Sequence, residues 1–336
     1  MFATLVGAYP SGPRPRGRSL DDIVRGCIEE QIDAGLGLLT DGQSRRENAV
    51  SAVASGLDGI DISGGQPRAY TLPAWTHPIL VADWRFADQV AREAVAERGL
   101  EPLPVKACLV GPYTLARSAD PGQLSREALT IALAEALGQE VRALVEAGTP
   151  VVQLDENALT MIGKDDDAER ALARGALDRV TAAVADLPAA HLCLAVAGGN
   201  AEFAGQALFY ERAFSSYLFD LIAGPDNWRL IADAPRDRGI ICGVADTRST
   251  AHDDEPVMVW AARYAAQLGG RGLDRVGLAP SAGLEHLPRD RAKAIIEALA
   301  EAARKAGLPG RRLASELDPR AVDARSAALG RVEPAP

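Results

Sequence analysis

Short apolar runs alternate along this sequence with longer segments rich in alanine, leucine, glutamate and arginine. The apolar runs have the length of β-strands, and the longer segments repeat apolar residues every three or four positions, as amphipathic helices do. The strand candidates cover residues 2–7, 36–40, 105–110, 151–155, 191–197, 217–222, 240–245 and 276–279. Helical segments lie between them at residues 19–34, 125–147, 165–185, 257–266 and 288–306. This alternation predicts a parallel sheet covered by helices.

The number of strand candidates favours a closed barrel over an open sheet. Eight βα repeats in 336 residues fit a single (β/α)8 TIM barrel with an insertion after the second strand. A doubly wound sheet would place a glycine-rich phosphate-binding turn after its first strand, whereas residues 7–15 are broken by proline and lack GxGxxG. We expect an α/β barrel domain over residues 1–313, with residues 51–103 folded as a hairpin or helix over the barrel mouth. Residues 314–336 are expected to form a loosely ordered tail.

The charge balance limits the partners. With 46 acidic and 36 basic residues the net charge is −10, which argues against nucleic acid or an anionic membrane and favours small-molecule substrates. No apolar run reaches the roughly 18 residues that cross a bilayer, and the first residues do not resemble a signal peptide, so we expect a cytoplasmic protein. The four cysteines lack CxxC spacing and are expected to be buried, reduced thiols. A homodimer is left open.

Polar clusters follow two of the predicted strands at the point where each strand ends. Residues 36–40 run into Asp41, and residues 151–155 end on Asp155, which Glu156 follows. Barrel enzymes assemble their active sites at the carboxyl ends of the strands. We therefore expect Asp155 and Glu156 to be catalytic. Asp41 is either a site residue or the cap of the following helix.

Five segments, taken in order, resemble the catalytic domain of cobalamin-independent methionine synthase. They are residues 41–46, 105–112, 153–156, 243–249 and 278–284. The resemblance implies a barrel of the superfamily that also holds uroporphyrinogen decarboxylase and the zinc alkyl-thiol transferases. It further implies methyl transfer from a folate-type donor to a thiol that a zinc ion holds as thiolate. In the family that zinc is bound by a His-x-Cys pair, a glutamate and a second cysteine.

The zinc ligands implied by the resemblance are not retained in this sequence. His191 and Cys193 form a His-x-Cys pair, but the family pair ends its strand just before a Gly-Asn dipeptide, here residues 199–200. At about 3.3 Å per residue, His191 would lie roughly 13 Å below Ala195, and the pair would correspond to Ala195 and Ala197.

The positions of the other two zinc ligands of the family are also occupied by different residues in this sequence. The second cysteine falls on Ala282, and the glutamate falls on Ile222 or, in a shifted register, on Asp220. We expect no metal ligand and no catalytic zinc. A zinc site built from His191, Cys193 and Asp220 remains the alternative.

The resemblance also implies the residues that hold the substrates. Asp155 matches an aspartate that contacts the amino group of the amino-acid substrate, Gln43 replaces a glutamate that does the same, and Ala8 replaces a serine. In the loop at residues 246–249 the family has a histidine that gives a proton to folate N5. The residues expected to bind substrate are Gly7, Ala8, Asp41, Gln43, Arg46, Asn200 and Ser281.

Arg248 stands in place of the family histidine, and arginine does not release a proton at neutral pH. The acid would therefore be Asp246, Glu156 or a water molecule, and Arg248 would bind an anion such as a carboxylate. The expected catalytic set is Asp155, Glu156, Asp246 and Arg248. His252 and His286 lie in polar loops and are either surface histidines or a general acid or base.

These residues favour an enzyme that transfers a methyl or other one-carbon group to a small amino-acid-like or carboxylate acceptor without catalytic zinc. The donor would be a folate-type cosubstrate or a corrinoid, the latter carried by a corrinoid protein. Three alternatives remain: a metal-free lyase or decarboxylase of the same superfamily, a zinc-dependent homocysteine or thiol S-methyltransferase, and a non-catalytic binding scaffold.

Overall fold

The computed structural model describes residues 1–11, 19–46, 48–248, 255–310 and 312–313. The strands are β1 (Phe2–Ala3), β2 (Asp58–Asp61), β3 (Arg68–Ala74), β4 (Ala107–Val110), β5 (Val152–Asp155), β6 (Leu192–Val196), β7 (Ser216–Asp220), β8 (Gly239–Ala245) and β9 (Val276–Pro280). The helices are α1 (Leu20–Ala34), α2 (Ala49–Ser55), α3 (Val81–Glu97), α4 (Pro112–Ser118), α5 (Arg126–Glu146), α6 (Asp167–Ala182), α7 (Gln206–Tyr210), α8 (Asn227–Asp233), α9 (Glu255–Gln267) and α10 (Arg289–Ala306). Short 3-10 turns occupy Asn157–Met161, Glu202–Ala204, Leu268–Gly270 and Leu273–Arg275.

Seven strands form one parallel sheet in the order β1-β9-β8-β7-β6-β5-β4, and β2 and β3 form a separate antiparallel hairpin. The prediction of an α/β fold with a parallel sheet is confirmed. The five helices predicted from apolar periodicity are also found, each within three residues of the expected bounds. The predicted tail, residues 314–336, lies outside the described residues, as does His252.

The second predicted strand, residues 36–40, contributes single parallel bridges instead of a strand. Leu38 bridges to Thr4 and Leu39 bridges to Val105, so this segment lies between the two edge strands of the sheet. The strand-like hydrogen bonding of this segment ends at Thr40, because the side chain of Gln31 forms hydrogen bonds with both the N–H and the carbonyl group of that residue. The Gln31 amide donates to the Thr40 carbonyl at 2.9 Å and accepts from the Thr40 N–H at 3.0 Å. A glutamine side chain thus replaces a neighbouring strand.

Residues 51–103 fold as most of α2, the hairpin and α3. Helix α3 packs beside α1, and its Trp84 donates to the carbonyl of Val105 at the start of β4. The linker before α3 is fixed by Glu140 of α5, which is fully buried. The Glu140 carboxylate accepts from the Trp75 indole and from two backbone N–H groups, all within 2.8 Å. Residues 48–50, just before this segment, border a cavity at the carboxyl ends of the strands, and no residue of 51–103 borders it.

The inner face of the sheet is lined by small and apolar side chains. One buried cluster there contains Val6, Cys193, Ala195, Leu218, Ile241 and Ala279. All four cysteines are buried and free, as the sequence predicts. None of the helices in the described ranges combines the length and the hydropathy that a bilayer crossing requires.

Candidate active site

The strand register determines which side chains meet at the carboxyl edge of the sheet. Asp155 at the end of β5 pairs with Val110 of β4 on one side and with Ala195 of β6 on the other. Asp220 ends β7 opposite Gly243. Because all seven strands are parallel, their carboxyl ends and the loops that follow them lie at one end of the sheet, where ligands bind in folds of this kind.

Asp155 is an ionisable group at the carboxyl end of β5, on the edge of the sheet where the mouth lies. Its side chain is half-buried, and its Oδ1 accepts a hydrogen bond of 2.7 Å from the amide of Gln153. Removal from bulk water raises the pKa of Asp155 to about 6, while the Gln153 bond and the positive charges of Lys106 and Arg46 oppose that shift. The carboxyl group is therefore mostly ionised at pH 7, but its pKa is close enough to neutral pH for it to gain and lose a proton there.

A cavity of about 700 Å³ opens beside the first and second loops of the mouth. The residues that shape it include Ala8, Gln43, Ser44, Arg46, Glu285 and His286. Three of the predicted substrate-binding residues, Ala8, Gln43 and Arg46, are thus brought together. The sequence does not single out Glu285, which follows β9 and is brought beside Gln43 by the fold.

The position of Gln43 is fixed by its backbone conformation, by a hydrogen bond to Asp41 and by its close approach to Gly7. Its main chain has a left-handed φ of 51°, and its N–H donates to Asp41 at 3.0 Å. Asp41 in turn binds the Arg46 guanidinium at 3.0 Å, and Arg46 also donates to the carbonyl of Cys108. A Cβ atom at Gly7 would stand 2.8 Å from the Gln43 amide nitrogen, so glycine is needed there. The predicted residues Gly7, Asp41, Gln43 and Arg46 therefore form one connected group.

Two buried polar atoms of this group have no hydrogen-bond partner within the described residues. They are the Ser44 hydroxyl oxygen and the Arg46 Nε. Buried donors without partners are unusual in folded proteins, and both residues border the cavity. Each would have to turn toward the cavity to donate to an oxygen of a bound ligand, because neither atom is accessible in this conformation. The sequence pattern did not single out Ser44, although its place between Gln43 and Arg46 is a usable signal.

Glu156 lies outside the mouth, although the sequence predicts it to be catalytic. It is fully buried, and its carboxylate accepts from the backbone N–H groups of Tyr113 and Thr114 and from the Thr114 hydroxyl, at 2.6–3.0 Å. It therefore closes the first turn of α4, and its carboxyl group would overlap any Cβ at Gly111. Burial raises the pKa of Glu156 to about 7 against these hydrogen bonds. Neighbouring residues at a strand end point to opposite faces, so Asp155 and Glu156 cannot both face the mouth.

Asp246 and Arg248 lie in the loop after β8, where the sequence places them. The Arg248 N–H donates to Asp246 Oδ1 at 2.8 Å, and its guanidinium lies 3.6 Å from Asp220 Oδ2. The Arg248 side chain is 55% exposed, so it is accessible to an anionic ligand. Asp220 is fully buried and accepts from the N–H groups of residues 198, 222 and 223, which fixes the loops after β6 and β7.

Asn200 and Ser281 support loops at the rim of the mouth. Asn200 pairs twice with Asp226, donating to its carboxylate at 3.1 Å and accepting from its N–H at 2.9 Å. Ser281 is 1% exposed and contacts Thr247, while its N–H bonds to the Ala245 carbonyl. Neither residue borders the 700 Å³ cavity, and Asp155, Asp246 and Arg248 do not border it either. Asn200 and Ser281 make no contact with the group around Gln43 that the structure records.

The residues proposed as alternative zinc ligands lie at opposite ends of the sheet. His191 precedes β6, hydrogen-bonds Ser216 at 2.9 Å and borders a second cavity of about 430 Å³ at the amino ends of the strands, together with Cys193. Burial lowers the pKa of His191. Asp220 lies four residues after Ser216, roughly 13 Å along β7. No group of three or more His, Cys, Asp or Glu side chains in the described ranges could hold a metal ion. These side chains do not fit a tetrahedral zinc site.

Sequence comparison relates the chain to one family. The model of the catalytic domain of cobalamin-independent synthase matches residues 18–202. The 5-methyltetrahydropteroyltriglutamate–homocysteine methyltransferases of Photorhabdus laumondii and Yersinia pestis are each 29% identical over a 175-residue alignment, and each match covers 46% of this chain. The match covers 23% of the length of each of these relatives.

Structure comparison gives the same fold. A B12-independent methionine synthase from Shewanella sp. W3-18-1, in complex with selenomethionine, aligns with a TM-score of 0.74 at 18% identity, over 90% of this chain and 96% of that one. The putative vitamin-B12 independent methionine synthase from Listeria monocytogenes gives a TM-score of 0.70 at 18% identity, over 92% and 98%. At this level of identity the likeness establishes the fold.

Proposed function

Because this chain belongs to the family of cobalamin-independent synthase catalytic domains, we propose that it is a transferase of methyl or other one-carbon groups. The donor is a folate-type cosubstrate, by analogy with the methyltetrahydropteroyl donor in the names of its relatives. The single observation that carries the proposal is the position of Asp155, an ionisable carboxyl group at the carboxyl end of β5, facing the mouth. Relatives named as methyltransferases give the lyase alternative no support.

The charges around the mouth favour a small acceptor that carries an amino group, a carboxylate or both. Glu285 is close enough to disfavour the ionised form of Asp155, and the two carboxyl groups together suit a cationic ammonium group. The Ser44 hydroxyl and Arg46 Nε lack hydrogen-bond partners within the described residues and, once turned toward the cavity, can donate to a carboxylate. A cavity of about 700 Å³ has room for a small acceptor beside part of the donor.

The transfer breaks the bond between the methyl carbon and N5 of the donor and forms a bond between that carbon and the acceptor nucleophile. N5 gains a proton and the acceptor loses one. Arg248 remains protonated and would hold an anionic group, so Asp155 and Asp246 are the candidates for proton transfer. Glu156 is assigned to the cap of α4 and takes no part.

The acceptor in this proposal does not need zinc. Ala195 and Ala197 stand at the mouth end of β6, and Asp220 already accepts from backbone N–H groups. A free thiol is mostly protonated at neutral pH, so a nitrogen, carbon or more acidic nucleophile suits this site better.

We also propose that residues 36–40 act as the eighth strand and close the sheet into a (β/α)8 barrel. The bridges from Leu38 to Thr4 and from Leu39 to Val105 support this closure. A homodimer, a corrinoid protein as donor and a cytoplasmic location remain predictions from the sequence.

Calorimetric titration of pairs of small acceptors tests the proposed binding site. Amino acids should bind, and the same molecules without the amino group should bind at least about tenfold more weakly. Asp155→Asn should abolish this preference, whereas Asp186→Asn, at a carboxylate with a 65% exposed side chain, should retain it. Equal affinity for both members of every pair in the unmodified protein would contradict the assignment of Asp155.

A further inference from the structure

A hydrogen-bonded column of three polar side chains crosses the inner face of the sheet beside the apolar cluster around Leu218. Lys106, just before β4, is 1% exposed and donates from Nζ to the Leu5 carbonyl at 2.7 Å and to Gln153 Oε1 at 2.6 Å. Gln153, fully buried, donates from Nε2 to the Val6 carbonyl and to Asp155 Oδ1 at 2.7 Å. The column therefore joins a buried ammonium group to the carboxylate at the mouth.

The chemistry of its neighbours fixes the orientation of the Gln153 amide. An ammonium group can only donate, so Oε1 must face Lys106. A backbone carbonyl can only accept, so Nε2 must face Val6. The second N–H of Nε2 is then directed at Asp155 Oδ1, and Oδ2 is left for the mouth. Reversing the amide would place N–H against N–H at Lys106 and oxygen against oxygen at Val6 and Asp155.

The placement of a lysine here is costly, which is the reason to look for a role. Lys106 borders the 430 Å³ cavity together with Cys193 and Ile241. Burying an ammonium group costs free energy unless the group is well hydrogen-bonded. Within the described residues, the hydrogen-bond partners of Lys106 are a carbonyl and an amide, both neutral. The lysine charge is therefore not cancelled locally, and it acts on Asp155 through the amide.

We propose that Lys106 is a positioning residue that acts through Gln153 to keep Asp155 ionised and oriented toward the mouth. Its consequence for substrate binding rests on the function proposed above, because Asp155 then meets the cationic group of the acceptor. Lys106 itself touches no substrate in this arrangement. Its role is to supply a fixed positive charge and to lock one amide.

Other charged groups also face Asp155 and must be separated from the effect of Lys106. Arg46 favours the ionised carboxylate but is already paired with Asp41. The negative charge of Glu285 disfavours the ionised form of Asp155, and Asp155 in turn raises the pKa of Glu156. The thiols of Cys108 and Cys193 lie near it as well, and burial raises the pKa of both, so they stay neutral over the range in which Asp155 titrates.

The test is a carboxyl-¹³C NMR titration of the ligand-free protein, with the Asp155 signal assigned by its loss in Asp155→Asn. In Lys106→Met the Asp155 midpoint should rise by about one pH unit, because the stabilising cation is gone. In Gln153→Glu, which keeps Lys106, it should also rise, because a carboxylate replaces the N–H donor. Arg271→Met is the matched control: it removes a buried cation bound to three backbone carbonyls away from Asp155, and should leave the midpoint unchanged.

A midpoint that stays unchanged in either folded variant would overturn the proposal. Should Lys106→Met fail to fold, Gln153→Glu carries the test, and the unmodified protein offers a second one. There the ¹⁵Nζ signal of Lys106 should shift at the Asp155 midpoint, and a signal that is flat across that midpoint would also overturn the proposal.

The binding experiment separates this inference from the proposed function. In Lys106→Met, affinity for an amino-acid acceptor should fall about threefold at pH 6.5 and recover near pH 8.5, as a one-unit shift of one carboxyl group requires. A loss that is equal at every pH indicates a merely structural lysine and overturns the inference. A shifted NMR midpoint in a protein that binds no acceptor would leave the column intact and reject the proposed function instead.

Discussion

Asp155 and Ala195 lie opposite each other in the parallel pairing of β5 and β6. This one pair fixes which part of β6 reaches the mouth. Alanine stands beside the Asp155 carboxylate, and His191, four residues earlier, lies near the amino ends of the strands. The first prediction follows from this register.

Zinc should not be a stoichiometric component of this protein. Elemental analysis of protein purified without added zinc or chelator should give well below one zinc per chain. The double variant His191→Ala, Cys193→Ala should show the same content, since these side chains face a cavity away from Asp155 and Asp220. About one zinc per chain, lost in the double variant, would show that the register of β6 described here is wrong.

The free energy of unfolding should fall as pH rises from about 4.5 to about 7. Burial raises the pKa of Glu156 to about 7, above its value in the unfolded chain, so the folded protein holds this proton more tightly. The resulting stabilisation is complete below the unfolded pKa and is lost as pH passes the folded one. Its size is on the order of 2–3 kcal/mol for a shift of this kind.

Denaturant titrations between pH 4 and 8 measure this dependence. Asp155, whose pKa is raised to about 6, contributes in the same direction, so its effect is subtracted with Asp155→Asn. Glu156→Gln should flatten the remaining slope and lower stability throughout, because its amide N–H₂ opposes one of the N–H donors at the start of α4. A slope that Glu156→Gln leaves untouched would show that Glu156 titrates normally.

Gly7→Ala should weaken acceptor binding with little loss of fold stability. Its Cβ would come within 2.8 Å of the Gln43 amide nitrogen and 3.4 Å of Cys108 Cβ, so Gln43 must move. We expect roughly a tenfold rise in the dissociation constant, the loss of one oriented hydrogen bond to a charged group. Gly163→Ala is the matched control, because nothing lies within 4 Å of a Cβ there. Equal affinities of the two variants would remove Gln43 from the binding site.

Glu140→Gln should destabilise the segment before α3. The buried carboxylate accepts three hydrogen bonds, and an amide can accept at only one of its two atoms. A loss of about 2 kcal/mol in unfolding free energy is expected, compared with almost none for Glu135→Gln, whose side chain is 68% exposed on the same helix. Hydrogen exchange at Ile79 and Leu80 should rise in the first variant, and unchanged protection there would contradict this anchoring role.

The sequence predicts the architecture well because strand and helix periodicities are local signals. It also predicts that β5 ends at Asp155, since the carboxyl end of a strand can be read from one segment. It does not predict that Gln31 replaces a strand partner at Thr40, because that depends on a side chain from the preceding helix. Glu285 is missed for the same reason: its proximity to Asp155 is created by the closing of the fold.

Glu156 shows a different limit. Its position beside Asp155 suggests a pair of catalytic carboxylates, but strand alternation turns the two side chains apart. The first turn of α4 then supplies donors for Glu156 that no pattern around residue 156 reveals. The alternation of side chains along a strand is enough to argue against a pair of carboxylates facing the mouth. The hydrogen-bond partners of Glu156, in contrast, can be identified only from the tertiary structure.

Transfer of a labelled methyl group tests the proposed function most directly. The protein is incubated with methyl-¹³C-labelled 5-methyltetrahydrofolate and a set of small amino-acid and carboxylate acceptors, and the products are followed by NMR, with Asp155→Asn and Asp186→Asn in parallel. We expect label on at least one acceptor, at a rate reduced about 100-fold or more by Asp155→Asn and unchanged by Asp186→Asn. Label that stays on the donor with every acceptor, or that transfers equally fast in Asp155→Asn, would contradict a one-carbon transferase centred on Asp155.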